Sequence, residues 1–127
     1  MLMRILVSLS TAAGLLWSIG CGLCANDVVS EVRSPDGKLR VVVFRRDCGA
    51  TTDFTLHVSV LGAAQPLSND EGNVFRALND GKTPPIEVKV AWQDSRHLLV
   101  RFPARAKPFR QYPTEGAIRV FYESFAQ

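Results

Sequence analysis

Apolar and polar side chains alternate without a break from residue 54 to residue 61. Phe54, Leu56, Val58 and Val60 point one way, while Thr55, His57 and Ser59 point the other. A period of two predicts a half-buried strand, with His57 on its polar, solvent-facing side. Residues 39–46 differ. Leu39, Val41 and Val43 share one face, but Val42 and Phe44 occupy the other, which predicts a central strand covered on both sides.

The rest of the chain after residue 25 follows the strand pattern. Residues 26–33, with Val28, Val29 and Val32, read as a short edge strand. They lead into Ser34-Pro35-Asp36-Gly37-Lys38, where proline presets φ for the first corner and Asp-Gly tolerates positive φ. Between two Val-rich segments this predicts a hairpin. Residues 73–78 form a short strand. Ile86, Val88, Val90 and Trp92 alternate with polar neighbours, Gln93-Asp94-Ser95-Arg96 turns the chain, and 97–102 run back with Leu98, Val100 and Phe102 inward. Residues 117–125 close the fold.

Residues 62–73 and 79–85 read as solvated loops, the second barred from any ladder by Pro84 and Pro85. Residues 103–114, with prolines at 103, 108 and 113, read as irregular, with room for one short helix near 104–115. The expected fold class is all-β. It is a single small antiparallel β-sandwich or open barrel of about seven strands, covering 26–127.

The first 25 residues do not fit that domain. Arg4 precedes an apolar run from Ile5 to Ile19, followed by small residues at Gly20 and Gly22, the layout of a secretory signal peptide. The run is shorter than the roughly 20 residues of a membrane span. Ser18-Ile19-Gly20-Cys21 partly matches a bacterial lipobox, which makes Cys21 a lipidation candidate. Ordinary cleavage after Gly20, Gly22 or Ala25 is the competing reading. The expected location is periplasmic or lipid-anchored at the envelope, with membrane contact only through the signal or the lipid.

Formal net charge is +3 over the 127 residues, and loss of Arg4 with the signal lowers it by one. So mild a balance does not point to nucleic acid. Cleavage also decides the cysteines. With Cys21 lipidated, Cys24 and Cys48 remain as a disulfide pair in an oxidising compartment. Such a bridge closes a loop of about 25 residues and contributes about 3 kcal/mol. With cleavage after Ala25, Cys48 stands alone.

Candidate chemistry is sparse. Cys48 with His57 or His97 is the one conceivable nucleophile and base, and Arg45 and Arg46 would favour a thiolate. No orienting third residue can be assigned, so no catalytic site is expected. No histidine, cysteine or carboxylate spacing matches a metal pattern, and Asn69-Asp70-Glu71-Gly72-Asn73 lacks the alternation of a calcium loop. No metal or cofactor is expected. Cys48-Gly49-Ala50-Thr51-Thr52 reads as a structural corner, Gly49 allowing a sharp turn and the threonine hydroxyls meeting loose backbone groups. Arg101, Arg105, Lys107 and Arg110, interleaved with Phe102, Phe109 and Tyr112, form a candidate interaction surface.

Taken with residues 55–61, the Ser34–Lys38 turn and the Cys48–Thr52 run resemble a group of small bacterial exported proteins of unknown function. That group carries an SPDGK-like hairpin and a CGATT-like element. The resemblance covers mainly residues 33–76. It implies bacterial origin and export, and no reaction. The expected function is therefore a non-catalytic envelope protein that binds another protein or ligand. An enzyme-inhibitor or immunity-type module is the alternative, and a thiol-dependent enzyme or redox protein the remote third.

Overall fold

A computed structural model describes residues 23–49 and 53–126. The expected signal peptide with Cys21, and Ala50, Thr51 and Thr52 of the corner motif, lie outside the described residues. The described residues form nine strands: β1 (Ala25–Arg33), β2 (Leu39–Asp47), β3 (Thr55–Gly62), β4 (Phe75–Leu78), β5 (Lys89–Asp94), β6 (His97–Pro103), β7 (Lys107–Gln111), β8 (Thr114–Glu115) and β9 (Ile118–Phe125). No helix occurs among them.

Two sheets result, one ordered β1-β2-β3-β4-β7 and the other β5-β6-β9-β8. Their inner faces share one core, in which Val41, Leu56, Val58 and Phe75 meet Leu98, Val100, Phe102 and Val120. At its centre the Phe75 ring stacks on Phe102 (5.3 Å) and Tyr122 (6.0 Å), joining the sheets. The all-β sandwich expected from the alternation is therefore the fold, open and not a closed barrel.

The hairpin turn builds as its residues dictate. Gly37 has φ of 72°. The Ser34 hydroxyl donates to Asp36 Oδ1 (2.7 Å) and accepts from Leu39 N–H, while Lys38 N–H donates to the same carboxylate oxygen (3.1 Å). The Ser34 hydrogen bond, followed by that of Lys38, holds the Asp36 carboxyl below its usual pKa.

Three stretches depart from the sequence reading. Residues 103–114 are not irregular: β7 pairs with β4 at the sheet edge, Pro108 opposite Ala77, and an edge is where a strand tolerates a proline. Because β7 crosses to the opposite sheet, β9 returns beside β6 in parallel, His97 opposite Arg119 and Pro103 opposite Phe125. Ile86 and Val88 are buried, but pairing starts only at Lys89, opposite Arg101. Continuing that register would set Glu87 against Pro103, which has no N–H to offer.

The third departure concerns β3, which is buried on both faces. The loop expected over 62–73 is exposed along most of its length, but over 63–74 it also lies as a strap across the outer face of the five-stranded sheet. Leu67 packs on Val42, Phe44 and Leu61 to make a second, smaller core. Asn73 replaces a missing strand partner, its side-chain amide accepting from Val60 N–H and donating to Val60 C=O (both 2.8 Å).

Candidate functional site

His57 lies under this strap, only 1% exposed, where alternation placed it in solvent. Gly72 N–H donates to its Nδ1 (2.8 Å), and Thr55 Oγ1 lies 2.6 Å from Nε2. An acceptor at Nδ1 leaves the proton on Nε2, so the ring is the neutral Nε2–H tautomer donating to the threonine. Its face stacks on Phe44, the centroids 5.2 Å apart. Burial, then the neighbouring Arg46 and Arg76 charges, push its pKa down to about 4. Both ring nitrogens are thus occupied by the fold.

Cys48 offers no thiolate in this structure. Cys24 and Cys48 form a disulfide, their Cα atoms 3.9 Å apart. The ladder dictates this placement, because Ala25 opposes Asp47 and the cysteines are the next pair outward. Gly49 has a φ of 151°, and its N–H donates to Asp47 Oδ1 (3.1 Å). Arg46, Cys48, Asp53, Phe54, Thr55, Leu78 and Asn79 surround a cleft of about 430 Å³ beside it.

His97 is in the other sheet, at the β5–β6 turn, its Nδ1 2.8 Å from the Asp94 carboxylate. Asp94 is held below its usual pKa first by the Arg96 N–H and then by His97. The residues weighed as nucleophile and base are not brought together. Among the described residues, no three His, Cys, Asp or Glu side chains are grouped to hold a metal.

The basic and aromatic residues between 101 and 112 also separate. Arg101 lies in β6, stacked on Phe125 (5.4 Å), with its Nε 3.6 Å from Glu123. Arg105 is an internal clamp: its Nη1 donates to both Asp80 oxygens (2.8 and 2.7 Å) and its Nη2 to Pro84 C=O, fixing the 79–85 loop. Lys107, Phe109, Arg110 and Tyr112 remain exposed along β7 and just beyond it. Arg76 stacks over the Tyr112 ring (5.6 Å).

A different surface emerges from the topology. Strand β1 is a sheet edge nine residues long, paired among the described residues only with β2. Val28 and Val29 are each 49% exposed and Val32 is 40% exposed. The register shifts between Val28 and Ser30, so Val29 bulges out of the β2 ladder. Val29 also lines a groove of about 290 Å³ with Val43, Leu56, Pro84, Ile86 and Val88, and with Arg45 and Glu87. Trp92 Nε1 donates to Val32 C=O (3.0 Å) and anchors the far end of the strand to β5.

The other edges are less available: β5 has six residues, is broken by a register shift between Trp92 and Asp94, and is met by β1 through Trp92. β8 has two residues, and β7 carries Pro108 between Lys107 and Arg110, the devices that blunt an edge against strand addition. The one sequence signal for β1 as a surface is its three valines in a segment that also carries Asp27, Glu31 and Arg33. Comparison of the chain with protein-family models, with curated proteins and with solved structures gave no match.

Proposed function

We propose that this chain is an exported, non-catalytic β-sandwich of the bacterial envelope, which binds an extended segment of another envelope protein along β1. The observation that carries the reading is the β1 edge: nine residues with one strand neighbour, exposed valines and an apolar groove beside them. Backbone groups on a free edge supply affinity for an added strand, and side pockets supply selectivity. Export is supported by the Arg4–Gly22 pattern and by the Cys24–Cys48 disulfide, since such bridges persist in oxidising compartments. The resemblance to small exported bacterial proteins through Ser34–Lys38 and Cys48–Thr52 is consistent with it.

Site-specific photo-crosslinking in intact cells tests this reading. A crosslinker at Val28 or Val29 is expected to capture one discrete partner, whereas one at Lys107 on β7 captures none. The double change Val28→Lys/Val29→Lys, at exposed positions, is expected to leave folding intact and abolish capture by a crosslinker placed at Glu31. Capture from β7 instead of β1, or capture that survives the double change, sinks the proposal.

A further inference from the structure

We propose that residues 63–74 are an acid-opened strap, latched at neutral pH by the bond from Gly72 N–H to His57 Nδ1 and released when His57 gains a proton. The latch is built from both sides of Gly72. Its N–H enters the imidazole and its C=O accepts from Arg76 Nε (2.8 Å). No side chain fits there: a Cβ on Gly72 would lie 2.7 Å from Phe75 C=O, 2.8 Å from Val58 C=O and 2.9 Å from His57 Cβ.

The side-chain ties to the strap's middle lie nearer solvent. They run from Asn26 to the Ser68 and Asp70 carbonyls, from Arg40 to Gln65 C=O, and from Arg46 to Asn69. Inward, Asn73 is tied to Ser59 and Val60, and the buried Val74 closes the strap's end through Val58, Tyr112 and Tyr122.

Protonation reverses the sense of the central bond. Both ring nitrogens of an imidazolium are donors, so Nδ1–H would face Gly72 N–H, donor against donor. The new charge also arrives among cations. Arg46 faces the ring from β2 and Arg76 from β4. Glu71 is the strap's own charge nearby, and it is engaged by Arg76 Nη1 (2.5 Å). Arg110 of β7 sits opposite Arg76 in the register, and the Asp70 carboxylate is turned to Ser68. Nothing in this set offers His57 a free carboxylate. The strap therefore lifts, baring Val42, Phe44 and Leu61, the apolar patch that Leu67 covers. The ring titrates near pH 4, so the latch is shut at neutral pH and opens only in acid.

Amide hydrogen exchange and imidazole nitrogen shifts, followed by NMR on the mature chain from pH 7 to 3.5, test this. Protection at Gly72 and Asn73 is expected to fall at least ten-fold in step with His57 titration, while Val100 and Val120 stay protected. His57→Gln is expected to flatten the response, since a neutral amide does not titrate. Glu71→Gln is expected to leave the midpoint in place. Three outcomes overturn the proposal: strap protection flat to pH 3.5, a midpoint that moves with Glu71→Gln, or loss of protection together with Val100 and Val120. Should His57→Gln fail to fold, the wild-type and Glu71→Gln titrations still decide.

Discussion

Gly72 shows how much one missing methyl group determines. In Asp70-Glu71-Gly72-Asn73 it looks like an ordinary loop glycine, yet a Cβ would lie within 3.0 Å of two backbone oxygens. Backbone cannot swing aside as a side-chain tip can, so Gly72→Ala is expected to destabilise the protein by about 1–3 kcal/mol, the usual range for overpacking. Gly62 is the control. Its nearest atoms lie 3.6 and 3.7 Å away on the Gln65 side chain, so Gly62→Ala is expected to stay within about 0.5 kcal/mol of wild type. Urea unfolding of the two variants checks both. His57 carries a separate consequence for global stability. Its pKa is 6.5 in an open chain and about 4 in the fold, so between those values the unfolded chain binds more protons. Stability is then highest above pH 6.5 and declines as pH falls to 4, by about 3 kcal/mol. Urea unfolding at pH 7, 5.5 and 4 is expected to show this decline, and His57→Gln to lose that part of it.

Among the elements, β3 was the clearest in the sequence and also the most misleading. Its alternation gave the strand and its inward face correctly, but Thr55, His57 and Ser59 are not a solvent face. They are anchors: His57 holds Gly72, Ser59 accepts from Asn73 N–H (3.1 Å), and Thr55 meets His57. Polarity at every second position does not distinguish water from a polar strap, because both satisfy hydrogen bonds. The two-faced burial of β2 was the available hint, since Val42 and Phe44 needed a cover. Strand β7 was hidden for another reason: prolines argue against a ladder except at an edge, and edge position is a tertiary fact. The β1 edge was legible in part: its valines and its edge position were read from the sequence, its bulge was not. Strand β9 is tied across the sandwich by Tyr122, whose hydroxyl reaches Val74 C=O (2.5 Å) before β4 and Tyr112 C=O (2.7 Å) after β7. Val74 C=O keeps a second donor in Tyr112 N–H. Tyr122→Phe is therefore expected to cost only about 1 kcal/mol, one net hydrogen bond, and thermal unfolding measures it.

At the scale of the whole molecule, the two sheets are finished differently. The outer face of the five-stranded sheet is roofed by the strap, whereas its β1 edge is left open. That edge is held at its two ends. The disulfide continues the β1–β2 ladder past Ala25 and Asp47, and Trp92 grips Val32. Asn26 also ties the first residues of β1 to the strap and accepts from Arg46 (2.8 Å). A strand open for pairing gains from such fixing, because an edge ordered in advance spares a partner the entropy of ordering it. The cysteines are 24 positions apart, and opening a loop of that length removes about 3 kcal/mol by chain entropy. Reduction, or Cys24→Ala/Cys48→Ala, is expected to lower stability by about that much in urea. Amide exchange is expected to rise first at Asp27 and Val28, beside the lost bridge, and later at Arg33, beside Trp92. A uniform rise along β1, or no loss of stability, would show that the disulfide does not order this edge.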